Sequence, residues 1–386
     1  MNDKTMNTYK RTGLVLEHGK GATLYTKEGA EYIDFTAGIG VNSLGHGHPK
    51  LVKAIADQAA RLIHVSNYFM TDVSARLSER LADMAGMDKV FFCNSGAEAN
   101  EGLIKIARKY GSSKKADKNV IVTLKGSFHG RTVTTVTATG QDKFHQFFGP
   151  FTPGFVYVEA NNIAALDAAL TENVCAFLFE PIQGEGGVNP LDTDYLKAAE
   201  ALCRKRDILF VADEVQTGIG RTGKLFAYEH SGIEPDIMTL AKALGNGFPI
   251  GAMLTTNKVA KAFTPGNHAS TFGGNPLAMS AAQAALTVIL QEGVLDNCCK
   301  MGEYFSGQLK KLQGKHKIIK EVRGRGLMLA CSLNVEGAEI VTECMKRGVL
   351  INCTGGKTLR FVPPLIITKS DIDQVISMLD EVMEGK

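Results

Sequence analysis

The stretch ILFVADEVQTG runs from Ile208 to Gly218. Five apolar residues lead without a break into two carboxylates, Asp213 and Glu214. A short run this apolar reads as a strand buried on both faces, which is characteristic of parallel sheets. Buried strands usually end in turn residues such as Gly, Asn or Pro, so the two acids need an explanation. In parallel α/β sheets, ligands bind beyond the carboxyl ends of the strands, and Asp213 and Glu214 stand at such an end.

Neighbouring segments repeat the pattern. KVFFCN (89–94), NVIVTL (119–124), GFVYVE (154–159), VCAFLFE (174–180) and DIMTLA (236–241) read as strands, with helical stretches at 98–110, 161–171 and 193–206. This alternation predicts an α/β fold with a mostly parallel sheet covered on both faces. Upstream, Leu51, Ile55, Ala59 and Leu62 share one helical face, as do Val73, Leu77 and Leu81. From Asn275 the pattern changes to two long helices (275–292 and 294–313), shorter strands within 317–333, and helices near 335–347 and 369–384.

The 386 residues, 44% of them hydrophobic, are ample for a large core and more than one domain. Lys plus Arg is 43 against 40 for Asp plus Glu, a net charge of +3, which gives no reason to expect nucleic acid or an anionic membrane. The polar N-terminus lacks the apolar core of a signal peptide, and no apolar run is long enough to span a bilayer. The eight cysteines form no C-x-x-C pair and several lie in apolar runs, so reduced core thiols and a cytoplasmic location are expected. His46 and His48 sit in a Gly turn with no other metal ligand beside them, so no metal site is expected.

Three readings compete for the strand-end acids. One is a nucleotide site, because Gly218, Gly220 and Gly223 in GIGRTG match G-x-G-x-x-G and Gly218 to Lys224 match most of a P-loop. The context opposes both: DEVQT intervenes after the strand, no capped helix follows, and Leu225 stands where a P-loop needs Ser or Thr. The second is structural, with the acids capping a loop or pairing with Arg221. The third aims a carboxylate at a cationic ring nitrogen, and it needs partners.

Lys242 is one such partner. It follows an apolar strand among Ala241, Ala243 and Leu244, where a desolvated amine would have a lowered pKa. A lysine that only snorkels to solvent is the plainer alternative. CNSGAEANE, from Cys93 to Glu101, supplies another. Ser95 and Glu98 make a capping box, and the small residues Gly96 and Ala97 leave the first helical turn open to an anion. Lysine, carboxylate and anion cradle together point to pyridoxal 5'-phosphate, which needs all three.

In this order along the chain, VNSLGHGHP (41–49), CNSGAEANE, FHGRT (128–132), EPIQGEGGV (180–188), ADEVQTGIGRTG (212–223), LAKALGNGFPIGAM (240–253), STFGGNPLA (270–278) and LRFVPPL (359–365) resemble the class III, ornithine-type aminotransferases. The spacing of Asp213 and Lys242, 29 residues (242 − 213), is part of that likeness. The resemblance implies a fold type I pyridoxal-phosphate transferase: an N-terminal segment (1–45) packing with a small C-terminal domain (281–386), around a large cofactor-binding domain (46–280) with a seven-stranded-type sheet. It implies that Lys242 carries the cofactor and moves a proton, that Asp213 meets the pyridine nitrogen and Gln216 the phenolic oxygen, and that Phe128 stacks on the ring. Ser95, Gly96 and Ala97 would hold the phosphate, with Glu214 and Val215 also at the cofactor. Thr271 would reach the phosphate of a second subunit, making a homodimer. Arg131 and Arg360 would take substrate carboxylates, Glu185 would pair with Arg360 when no carboxylate is there, and Ser270 would approach the substrate. The expected reaction passes the δ-amino group of N2-acetyl-L-ornithine to 2-oxoglutarate. Ornithine, 4-aminobutyrate, succinylornithine and an acylated diaminopimelate are the alternative donors. A nucleotide-binding oxidoreductase is the alternative from another class.

Overall fold

The computed structural model describes residues 4–385. Its centre is a seven-stranded sheet made of β1 (Lys89–Cys93), β2 (Val120–Leu124), β3 (Phe155–Val158), β4 (Val174–Phe179), β5 (Leu209–Asp213), β6 (Ile237–Leu240) and β7 (Gly251–Thr255). The strand order is β1-β7-β6-β5-β4-β2-β3. All neighbours run parallel except β7, which is antiparallel to both β6 and β1.

Every residue of β4 to β7 is buried. Alternate side chains explain why these strands are apolar throughout. On one face, Leu209 and Val211 of β5 pack with Leu103, Ile106 and Tyr110 of the helix Gly96–Ser112. On the other, Phe210 and Ala212 join Tyr195, Leu196 and Ala199 of the helix Thr193–Lys205. Phe177, Phe179 and Phe210 form one ring cluster there, with centroids 4.6 to 6.2 Å apart.

Two smaller sheets flank this one. Leu16–Lys20, Thr23–Thr26 and Glu31–Asp34 form an antiparallel meander that Val349–Leu350 joins in parallel. Ile319–Arg325, Met328–Leu333, Thr358–Phe361 and Asn352–Thr354 form an antiparallel sheet. The last helix, Lys369–Met383, opens on a capping box between Thr368 and Asp371.

Two local expectations change. The seventh strand, β7, is not among the strands expected from the sequence. Gly251 has a physical reason to be there: a Cβ on it would lie 2.3 Å from the Ser95 carbonyl oxygen. The helix carrying Leu51 spans Pro49–Arg61 and ends before Leu62, which is extended. Only Leu51 of the expected apolar face is buried, while Ala59 and Leu62 are exposed. Among the described residues no single helix is long and apolar enough to cross a membrane.

Candidate active site

The carboxyl ends of β1, β2, β4, β5 and β6 converge on one cavity of about 390 Å³. Its lining includes Ser95, Gly96, Ala97, Phe128, Arg131, Glu185, Asp213, Val215, Gln216 and Lys242. Lys242 follows β6 by two residues and is held at φ +44°, a left-handed conformation that side-chain-bearing residues adopt at a cost. Burial pushes its amine below the ordinary lysine value. No hydrogen bond among the described residues engages that amine.

Asp213 is buried and holds three donors. His129 Nδ1 lies 2.8 Å from Oδ2, Asn100 Nδ2 donates to Oδ2 at 2.8 Å, and the Val215 N–H donates to Oδ1 at 3.0 Å. Asn100 is fixed in turn, since its Oδ1 accepts from Thr239 Oγ1 on β6. His129 and Asn100, which both line the cavity, are residues that the sequence alone did not single out. Their signal was present: His129 lies in FHGRT, and Asn100 ends one turn of the helix whose start was read as an anion cradle.

That helix begins differently from the expected capping box. Ser95 Oγ accepts from the Glu98 N–H as expected, but Glu98 Oε2 accepts from Asn94, not from Ser95. The Ser95 N–H therefore joins those of Gly96 and Ala97, unpaired in the first turn of a helix, in having no acceptor among the described residues, at the positive end of a helix of 17 residues. Gly96 is required: a Cβ there would lie 2.7 Å from Val215 Cγ1. Beside this cradle, the buried Gln216 Oε1 has no hydrogen-bond partner.

Arg360, 2% exposed, donates to Glu185 Oε1 at 2.5 Å. Burial opposes ionisation of Glu185, but Arg360 outweighs it and holds the carboxyl below its usual range. The backbone beneath Glu185 is clamped, because Thr354 Oγ1 donates to the Glu185 carbonyl and Arg323 donates to the carbonyls of Gly187 and Val188. Glu180, also unforeseen, accepts from the Phe128 and Gly184 N–H groups and so ties the Phe128 loop to the Glu185 loop. Burial, opposed by His129 and reinforced by Asp213, pushes its carboxyl up to about 7.

Some expected residues lie elsewhere. Glu214 turns away from the cavity and accepts from the Tyr228 N–H and Thr217 Oγ1. Ser270 accepts from Asn94 Nδ2 and the Gly273 N–H, and with Thr271 lines a separate surface depression. Arg221 pairs with neither strand-end acid. It is fully buried and donates to the carbonyls of Leu327 and Pro363 and to Ser43 Oγ. The GIGRTG segment is thus packed inside and opens no helix, which rules out the dinucleotide and P-loop arrangements. His46 Nε2 lies 2.9 Å from Asp34 Oδ2 as a structural pair.

The family model for aminotransferase class III matches residues 5–383. The chain is 52% identical to an acetylornithine aminotransferase of Caldanaerobacter subterraneus subsp. tengcongensis, covering 98% of this chain and 96% of that one. It is 50% identical to an acetylornithine aminotransferase of Methanocaldococcus jannaschii, over 98% and 95%. The ornithine aminotransferase crystal structure from Toxoplasma gondii ME49 superposes with a TM-score of 0.95 at 38% identity, over 98% of this chain and 92% of that one.

If His129 orients Asp213, His129→Phe will lower turnover on the order of tenfold or more, by analogy with outer-shell partners of active-site ligands. The far-ultraviolet circular dichroism should stay unchanged. Steady-state kinetics checks this, and unaltered turnover would remove His129 from the site.

Proposed function

We propose the following reaction for this chain, which belongs to the class III aminotransferases and is a transaminase: the δ-amino group of N2-acetyl-L-ornithine passes to 2-oxoglutarate, giving N-acetyl-L-glutamate 5-semialdehyde and L-glutamate, a step of arginine biosynthesis. The observation that carries it is a buried amine, a buried carboxylate and three free N–H groups around one cavity. Pyridoxal 5'-phosphate fits these parts. The unpartnered N–H groups of Ser95, Gly96 and Ala97 suit its phosphate, the unpartnered Gln216 Oε1 suits a ring hydroxyl that can donate to it, and Phe128 and Val215 supply apolar lining for a flat ring. When bound, this group supplies an aldehyde that takes up the amino group and a ring that accepts electron density from the substrate carbon.

The chain's own residues do the rest. Asp213, steadied by His129, Asn100 and the Val215 N–H, keeps a proton on the ring nitrogen. Burial lowers the pKa of the Lys242 amine and so favours its neutral form, in which it would take the proton from the δ-carbon and pass it to the carbon that came from the cofactor's aldehyde. Arg131 takes the carboxylate of the donor, and a guanidinium suits that task through paired N–H donors. 2-Oxoglutarate has two carboxylates and needs both Arg131 and Arg360. Glu185 neutralises Arg360 while the monocarboxylate donor is bound and releases it to the dicarboxylate.

An acylated donor suits the surroundings of Arg131. The α-nitrogen is one carbon from the carboxylate, so it must lie close to that arginine. Beside the Arg131 cation an uncharged amide nitrogen meets no like-charge repulsion, whereas a free α-ammonium would. The names of the two relatives near half identity agree with this choice.

We also propose a homodimer. Thr271 lies outside its own chain's cavity, where it can serve a second copy. Nearby Tyr68 and Met70 are each 93% exposed and Phe272 is 62% exposed, which suits an apolar contact.

Lys242→Ala should abolish turnover while the fold persists, and residual transaminase activity above a thousandth of wild type would overturn the role. Glu185→Ala should raise the KM for N2-acetyl-L-ornithine relative to glutamate, since Arg360 stays unmasked. An unchanged ratio of the two would take Glu185 out of substrate choice.

A further inference from the structure

The two arginines of the site are held in opposite ways. Arg360 is buried and paired through Nη1 with Glu185, which neutralises it until that carboxylate leaves. Arg131 is exposed and forms no ion pair among the described residues. Its guanidinium carbon instead lies 4.2 Å from the ring centroid of Phe144 and 5.5 Å from that of Phe128. The two rings meet edge to face, 5.5 Å apart at 73°. A guanidinium is attracted to aromatic faces, and such contact uses the plane of the cation and leaves its N–H edges open.

We propose that Phe144 is a positioning residue that holds the Arg131 guanidinium ready for a substrate carboxylate. The inference rests on the reading of Arg131 as a carboxylate receptor. Its physical content is pre-organisation. A long arginine side chain loses rotamer freedom when it captures a carboxylate, and a side chain already held loses less. The backbone around Arg131 is fixed independently: the Thr132 N–H donates to Thr135 Oγ1 and Thr132 Oγ1 donates to Glu101. Only the side chain needs a support, and Phe144 provides it.

Phe144 is itself held in place. It ends a single 3-10 turn, Asp142–Phe144, after Gln141, whose Nε2 donates to the Ser127 carbonyl beside Phe128. His145 Nε2 lies 2.8 Å from the Val136 carbonyl oxygen. Lys143 Nζ also approaches the Phe144 ring, 4.8 Å from its centroid, so one ring gathers two cations at the cavity mouth. The result is one receptor that is always open and one that opens only when Glu185 leaves.

The test uses the holoenzyme with Phe144→Leu, Phe144→Met, Phe144→Tyr, Arg131→Lys and the double variant Phe144→Leu with Arg131→Lys. Two readouts are needed: kcat and KM for N2-acetyl-L-ornithine, and the calorimetric Kd of N-acetyl-L-norvaline, which keeps the carboxylate and lacks the reacting amine. Phe144→Leu and Phe144→Met should each raise KM and Kd by about twofold to fivefold, with kcat little changed, in keeping with an exposed cation–π contact. Phe144→Tyr should restore both. On the Arg131→Lys background, Phe144→Leu should add little, because the two residues act as one unit. Unchanged Kd in both Phe144→Leu and Phe144→Met, or an equal effect with Arg131 already replaced, overturns the inference about Phe144 alone. If Arg131→Lys leaves KM and Kd unaltered, the carboxylate reading itself fails and takes the inference with it.

Discussion

Asp213 is a carboxylate withdrawn from water, and the site is organised around keeping it there. An isolated buried charge is expensive, and it becomes tolerable only when hydrogen-bond donors surround it. His129, Asn100 and the Val215 N–H meet that need, and each comes from a different part of the chain. Asn100 belongs to the helix that also presents the free N–H groups of Ser95 to Ala97. Its amide reaches Thr239 on β6, the strand that delivers Lys242. A short chain of hydrogen bonds therefore joins the cradle's helix, the acid and the strand that leads to Lys242. Displacing any one of them would disturb the others.

The same economy governs the substrate side. Glu180 bonds the Phe128 loop to the Gly184 loop, so the aromatic wall and the Glu185–Arg360 pair share a fixed frame. Thr354 and Arg323 hold the backbone under Glu185, while its side chain bonds Arg360 from that fixed base. A side-chain switch on a rigid loop can alternate between substrates of different charge without moving a domain. Arg221 plays a comparable part deeper down, tying Ser43, Leu327 and Pro363 together with a fully buried guanidinium. Burial pushes its pKa down to about 10, still far above neutral, so it remains a cation solvated by carbonyl oxygens.

Much of this was legible in the sequence, for definite reasons. Strands buried on both faces show as apolar runs, and β5 and β6 announced the positions of Asp213 and Lys242 at their ends. The Ser95 cap showed as a local pattern of four residues. What was missed depends on distant partners. His129 and Asn100 matter only because Asp213 lies against them, 84 and 113 residues further along the chain. Glu98 looked like the far half of a capping box, yet it bonds Asn94, which leaves the Ser95 N–H free beside those of Gly96 and Ala97. β7 was passed over because its glycine reads as a loop when the neighbouring Ser95 backbone is unknown. Arg221 looked like a partner for adjacent acids, and only the tertiary fold supplies the carbonyls it uses instead.

The most direct measurement is the visible absorption spectrum of the purified protein, before and after N2-acetyl-L-ornithine is added with no keto acid. A yellow protein that bleaches on addition of the donor and regains its colour with 2-oxoglutarate is the expected result. A protein that stays yellow with this donor but bleaches with ornithine would contradict the proposed substrate. A colourless protein that takes up no colour from added pyridoxal 5'-phosphate would contradict the central claim that Lys242, Asp213 and the Ser95–Ala97 cradle form one cofactor site.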